Sequence, residues 1–210
     1  MTEYYKLIED TELMDIIDSI NVINKDVLQT CHGRYHTMFV VKHIEYVLRK
    51  LGYDDYTVEL GKIAALLHDI GTLTGKEGHA IKSSEMCEYF LDRTELTDED
   101  KGSITHAIKD HSNGDEINSP FGAALLLIDK VNLCRERVLV KDTDDAWLIN
   151  LLEIENTKIT VKNKRITINY VVTPKFSKKM FDSDWTKGKT VPKKACDYLG
   201  CECIFQINGK

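Results

Sequence analysis

The sequence predicts a mainly α-helical bundle followed by a small C-terminal α+β appendage. Three observations predict it. Apolar residues recur every three or four positions through most of the first 139 residues, the period of helices with one buried face. Helix punctuation falls between these runs, with Thr97 three residues before Asp100 and Pro120 ahead of an apolar stretch. From about residue 145 the pattern changes to alternation around Asn163-Lys164, the mark of two strands and a tight turn. The chain therefore divides into a helical unit, 1–145, and an appendage, 146–210, made of a β-hairpin, a helix and a strand, whose role the sequence does not assign.

Length and composition bound the function. At 210 residues and 42% hydrophobic content, the chain can bury a sizeable core. A net charge of −6 disfavours a nucleic-acid backbone as partner. Six cysteines are too sparse for a disulfide scaffold, so free thiols in a reducing compartment are expected. The polar N-terminus shows no signal peptide, and no apolar run approaches a membrane span. A soluble cytoplasmic protein is the expectation.

Residues 3–23 carry Leu7, Ile8, Leu13, Met14, Ile17 and Ile20 and read as one or two packing helices. A helix over 35–50 follows, with His36 on its core-facing stripe at the first turn. His43 shares that face but lies about 10 Å further along the axis, too far to share an ion with His36. His32 precedes the helix and has no periodic argument.

The run Thr57 to Asp69 reads as a helix that ends in His68-Asp69, with Gly71 as its C-terminal stop. An imidazole and a carboxylate at the end of a buried helix both need partners, and the free carbonyls there favour a cation. After a glycine-punctuated loop, His79 begins another helix, where it could cap or ligate. Thr97 caps the next, which runs to His111. His111 falls on the apolar face with Ile104, Ala107 and Ile108, whereas His106 points elsewhere. The stretch Phe121 to about Leu139 reads as one apolar helix. Asp129 lies on its buried face and needs a cation, a metal or a proton.

The tail carries a hairpin over 158–172, a short helix near 191–199 stopped by Gly200, and a third strand over 201–207. Cys196, Cys201 and Cys203 lack Cys-x-x-Cys spacing and read as small buried hydrophobes rather than zinc ligands.

Singly these polar groups are weak signals. Their ordered set, His36 … His68-Asp69 … His79 … His111 … Asp129, resembles the HD superfamily of metal-dependent phosphohydrolases from about Arg34 to Asp129. The resemblance implies an HD-domain helical bundle. It also implies that His36, His68, Asp69 and Asp129 bind one metal, and that His79 and His111 bind a second bridged by Asp69. The stretches Arg34-Tyr-His-Thr, Leu-His-Asp-Ile-Gly, Gly-His79 and Ala-Ile-Lys-Asp-His-Ser-Asn-Gly look most like the symmetrical diadenosine-tetraphosphate hydrolases of that superfamily. Two departures narrow the field. Thr72 replaces the glutamate of the HD-type 5′-nucleotidases, and the Gly-Tyr-Pro pattern of cyclic-dinucleotide phosphodiesterases is missing.

The expected activity is hydrolysis of a phosphoester or phosphoanhydride by metal-activated water, with Asp69 orienting the nucleophile. Two divalent metals are expected per chain, iron or manganese, with zinc, cobalt or magnesium as alternatives. Lys130, Lys76 and Arg135, with Lys109, are candidates for phosphate contact, although a solvated surface role is the ordinary one for such residues. The expected partner is a small phosphorylated, nucleotide-like molecule, with neither nucleic acid nor membrane, and a homodimer is left open. The competing reading is a sensing or scaffold module that keeps the metals without turnover and uses the appendage as a partner surface.

Overall fold

The computed structural model describes residues 2–23 and 29–210. Its described residues form a mainly helical fold of ten α-helices with one small sheet at the C-terminal end. Helices α1 (Glu3–Ile8) and α2 (Thr11–Ile23) pack against the bundle through Tyr4, Leu7, Leu13, Ile17 and Ile20. The bundle itself consists of α3 (Arg34–Leu51), α4 (Asp55–Leu67), α5 (His79–Leu91), α6 (Asp98–Asp110) and α7 (Pro120–Val131).

Local chemistry sets most of the starts. Asp54 accepts a hydrogen bond from the Thr57 amide, Thr97 from the Asp100 amide and Ser119 from the Gly122 amide. Each satisfies an amide that the first turn leaves without a helical partner. Pro120 takes the first position of α7, where a missing N–H costs nothing. Phe121 to Ile128 are all buried, so α7 is the central helix, packed against α3, α4 and α6.

Helix α7 ends at Val131, well short of the expected Leu139. The carbonyls at and just past that end are claimed from the β-hairpin. Tyr170 Oη donates to Val131 O, and Thr157 Oγ1 donates to Leu133 O. The chain then makes a 3₁₀ turn at Arg135–Arg137, and Val138 bridges to Thr30. Helix α4 also stops earlier than expected, at Leu67. A 3₁₀ turn, Ile70–Thr74, follows His68-Asp69. Gly71 is thus not a helix stop.

Two helices escaped the sequence reading: α8 (Ala146–Leu152), capped by the Asp145 carboxylate, and α9 (Lys178–Asp184), capped by Ser177. Helix α10 (Thr186–Tyr198) begins five residues before the expected 191, with Pro192 accommodated inside it. The left-handed Gly200 (φ 65°) stops it as read. Strands β1 (Ile154–Lys162) and β2 (Arg165–Val172) form the antiparallel hairpin, with Asn163 and Lys164 at φ 51° and 54° in its turn. Strand β3 (Glu202–Ile207) pairs parallel to β2, giving the order β1-β2-β3. A parallel neighbour needs a crossover, which α9 and α10 supply. Ile166, Ile168 and Tyr170 bury one face of β2, and α10 lies against α7. One apolar cluster runs from Tyr4 through α7 to Leu199.

Candidate metal centre

Five helices converge on Asp69. His36 stands at the third position of α3, His68 directly follows α4, His79 opens α5, His111 directly follows α6 and Asp129 lies in the last turn of α7. Helix ends meeting at one point place the polar residues there, while the apolar faces behind them fill the core.

The tautomers are fixed by the other ring nitrogen. Nδ1 of His68 lies 2.8 Å from Ala65 O, Nδ1 of His111 2.6 Å from Ile108 O, and Nδ1 of His79 2.9 Å from Lys76 O. Each histidine uses the carbonyl three residues before it. A carbonyl oxygen only accepts, so each Nδ1 carries the hydrogen and each neutral ring keeps its lone pair on Nε2. His36 differs, because its Nδ1 lies between the acceptor Asn132 Oδ1 at 2.8 Å and the donor Arg137 Nη1 at 2.5 Å.

All four Nε2 atoms point inward. Those of His36 and His68 are 3.2 Å apart, and those of His79 and His111 are also 3.2 Å apart. The Asp69 carboxylate lies between the two pairs. Its Oδ2 is 3.2 Å from His68 and 3.4 Å from His36; its Oδ1 is 3.5 Å from His79 and 3.6 Å from His111. Asp129 Oδ1 joins the first group at 3.0 Å from His36 Nε2. Asp69 Oδ2 is buried and has no hydrogen-bond donor. Lone pairs and carboxylate oxygens packed this closely need positive charge between them. The residues therefore fit divalent cations as two sets: His36, His68, Asp69 and Asp129, and Asp69, His79 and His111. Second-sphere acceptors on each imidazole are what metal-binding histidines use to hold tautomer and orientation.

The electrostatics agree. Burial raises the cost of charge on Asp69, yet the neighbouring His68 and His111 hold its carboxyl well below the usual range. Asp129, its side chain 11% exposed, is likewise penalised by burial and is held down by Lys130, whose Nζ is 2.7 Å from its Oδ2. Burial and the Arg137 charge push His36 down to about 4, and burial lowers His111. Burial also works against a charged His68, but the Asp69 and Asp129 carboxylates outweigh it and raise its pKa.

The other candidates sort by position. His43 turns to Phe39 O and His106 to Glu116, both outside the two ligand sets. Lys76 and Lys130 line a cavity of about 320 Å³ above Asp69 and Asp129. Lys109 lies in a different hollow beside His106. Arg135 approaches Glu155 at 3.7 Å and is not part of the cavity lining. Arg137, which the sequence reading passed over, is buried and places Nη1 2.5 Å from His36 Nδ1. His32 was passed over as well. It is buried at the cavity wall with ring centroids 6.0 Å from His36 and 6.3 Å from His79, and burial lowers its pKa to about 3. Neither lies on a helical stripe, so periodicity could not find them. The close spacing of His32 to His36 was the only available signal.

Gly71 has a packing role here. A Cβ at this position would stand 2.3 Å from Ser83 N and 2.7 Å from His79 O. Its amide donates to Ser83 Oγ at 2.9 Å. The missing side chain lets the turn after Asp69 press against the start of α5, which brings His79 to Asp69.

No curated protein matches the chain. Among solved structures it is similar to the crystal structure of a predicted HD superfamily hydrolase from an uncultured Thermotogales bacterium. The two are 19% identical, with a TM-score of 0.48, over 64% of this chain and 75% of that one. The HD domain profile matches residues 33–146, just over half of the sequence. That span begins just before His36 and ends beyond Asp129, so it contains both ligand sets, and the chain belongs to the HD domain family.

Proposed function

We propose that this chain is a binuclear metal-dependent phosphohydrolase that cleaves a phosphoester or phosphoanhydride of a small nucleotide-like molecule. The observation that carries the reading is the Asp69 carboxylate, with one oxygen turned to His36 and His68 and the other to His79 and His111. Imidazole and carboxylate together suit manganese, iron or zinc. Cations held there would polarise a phosphoryl oxygen and lower the pKa of a water.

The protein's own groups do the rest. Asp69 remains ionised and orients the attacking water from its buried position between the two sets. Lys130 keeps Asp129 ionised and, with Lys76 and Arg137, supplies positive charge around the cavity for an anionic substrate. The imidazoles behind Asp69 hold it in place through carbonyl-anchored rings. Six free thiols are consistent with a reducing, cytoplasmic setting, and no described helix is long and apolar enough to cross a membrane.

The test is a phosphoester screen with manganese or iron added to purified protein. It includes 4-nitrophenyl phosphate, nucleoside phosphates and, because of the motif resemblance, diadenosine tetraphosphate. Turnover that disappears in Asp69→Ala supports the reading. Full activity in Asp69→Ala refutes it, and no turnover of any ester favours a binding module instead.

A further inference from the structure

Both tryptophans of this 210-residue chain line the same cavity. Trp147 sits in the first turn of α8, half-buried, and Trp185 between α9 and α10, almost wholly buried. Both come after residue 146, where the HD domain match ends. The cavity thus has an ionic floor, with Asp69, Asp129, Lys76 and Lys130, and an indole wall supplied by the C-terminal segment.

The wall is held in place from behind. Phe181 stacks on Trp147 with centroids 6.0 Å apart and an interplanar angle of 19°, and it lies 4.8 Å from Trp185. Tyr170 and Phe205 meet Trp185 edge-on at 5.6 and 5.5 Å. At Gly188 a Cβ would fall 1.5 Å from Trp185 Nε1, so this glycine leaves room for the indole. An aromatic cluster that fixes two indoles at the rim of a charged cavity gives a flat apolar surface beside an anion site.

We infer that Trp147 and Trp185 form a subsite for a planar aromatic ring carried by the phosphorylated substrate, with its phosphate over Asp69 and Asp129. The inference rests on the phosphohydrolase reading for the placement of the phosphate. A nucleobase is the ring of matching chemistry, since stacking on an indole tolerates any base. An aliphatic sugar phosphate would satisfy the ionic floor and leave the exposed part of Trp147 uncovered. At about 320 Å³ the cavity suits one ring-bearing phosphate, at the small end of ligand pockets.

The test uses the full chain loaded with manganese. Adenosine 5′-monophosphate, ribose 5-phosphate and orthophosphate are titrated by calorimetry and by tryptophan fluorescence, which here reports on this cavity alone. Adenosine 5′-monophosphate should bind about tenfold or more tighter than ribose 5-phosphate and alone quench the fluorescence. Trp147→Leu should erase that preference and Trp147→Phe should restore it, with circular dichroism confirming that both variants fold. Equal affinity for the two phosphates, or no binding of either, overturns the inference. Hydrolysis of 4-nitrophenyl phosphate is measured alongside. Hydrolysis without a preference for the base removes the subsite and leaves the phosphohydrolase reading standing. A base preference without hydrolysis of any ester removes that reading and leaves the subsite as a ligand pocket.

Discussion

The Nε2 atoms of His79 and His111 lie 3.2 Å apart, and in the neutral rings neither carries a hydrogen to give to the other. Two facing lone pairs in a buried site repel unless a cation or a proton lies between them. The Nε2 atoms of His36 and His68 are equally close, with the carboxylates of Asp69 and Asp129 beside them. Protein purified without chelator should therefore contain about two divalent metals per chain, read by elemental mass spectrometry. His36→Ala should lose metal from the first set, and His79→Ala from the second, each retaining about one per chain. A wild-type content near zero after metal is added back would defeat the two-set geometry.

Metal should also stabilise the fold. The ligands come from helices far apart in sequence, so the unfolded chain holds no equivalent site. Saturating manganese at about a hundred times its dissociation constant should add about 2.7 kcal/mol, which corresponds to a Tm rise of roughly 5–10 °C for a chain of this length. Thermal unfolding with and without chelator checks this, and an unchanged Tm counts against it.

The metal-free protein should weaken on acidification. Burial lowers His32 and His36 to about 3 and about 4, and His111 shifts the same way. The unfolded chain then binds protons first as the pH falls through 6.5. Their contribution is complete above that value and is lost progressively towards pH 3. His68 is raised and opposes this, but alone. Chelator-treated protein should lose about 5 °C or more of Tm between pH 7 and pH 4.5. A flat profile would show that the histidines are not buried as neutral rings.

Gly71→Ala joins packing to the site. The new methyl would meet backbone atoms of Ser83 and His79, which cannot rotate away. The cost should be about 1–3 kcal/mol, as for other overpacked positions. Because α5 must shift, metal in the second set should fall more than metal in the first. Ser83→Ala, which removes only the hydroxyl, should leave the two sets equally occupied.

Asn132→Ala removes the acceptor behind His36. Metal affinity of the first set should drop about tenfold to a hundredfold, the usual effect of losing such a partner. Asn132→Asp should retain more of it, because a carboxylate also accepts from Nδ1. Competition with a fluorescent chelator measures both.

The helical part of this arrangement was legible because amphipathic periodicity and caps are local. Thr97, Pro120 and the stripe around Asp129 each carry their own signal. The six histidine and aspartate residues were legible as a set because each falls at a helix end or on an inward face. What could not be read depends on long-range contacts. The end of α7 is set by Tyr170 and Thr157, more than twenty residues away. Helices α8 and α9 are seven residues each, too short for a strong period. His32 reaches the centre from irregular backbone and Arg137 from a three-residue 3₁₀ turn, where neither period applies. The role of Gly71 was misread because a glycine after a helix looks the same whether it turns the chain or makes room for a neighbour.

The two ligand sets also differ in when the chain can complete them. His79 and His111 are separated by 32 positions, whereas His36 and Asp129 are separated by 93. Closing the longer loop costs about 1 kcal/mol more in chain entropy. During synthesis from the N-terminus, Asp69, His79 and His111 all emerge from the ribosome before Asp129 does. The second set is therefore the one a nascent chain can assemble first. The first set waits for α7, so its loading reports that the central helix has arrived.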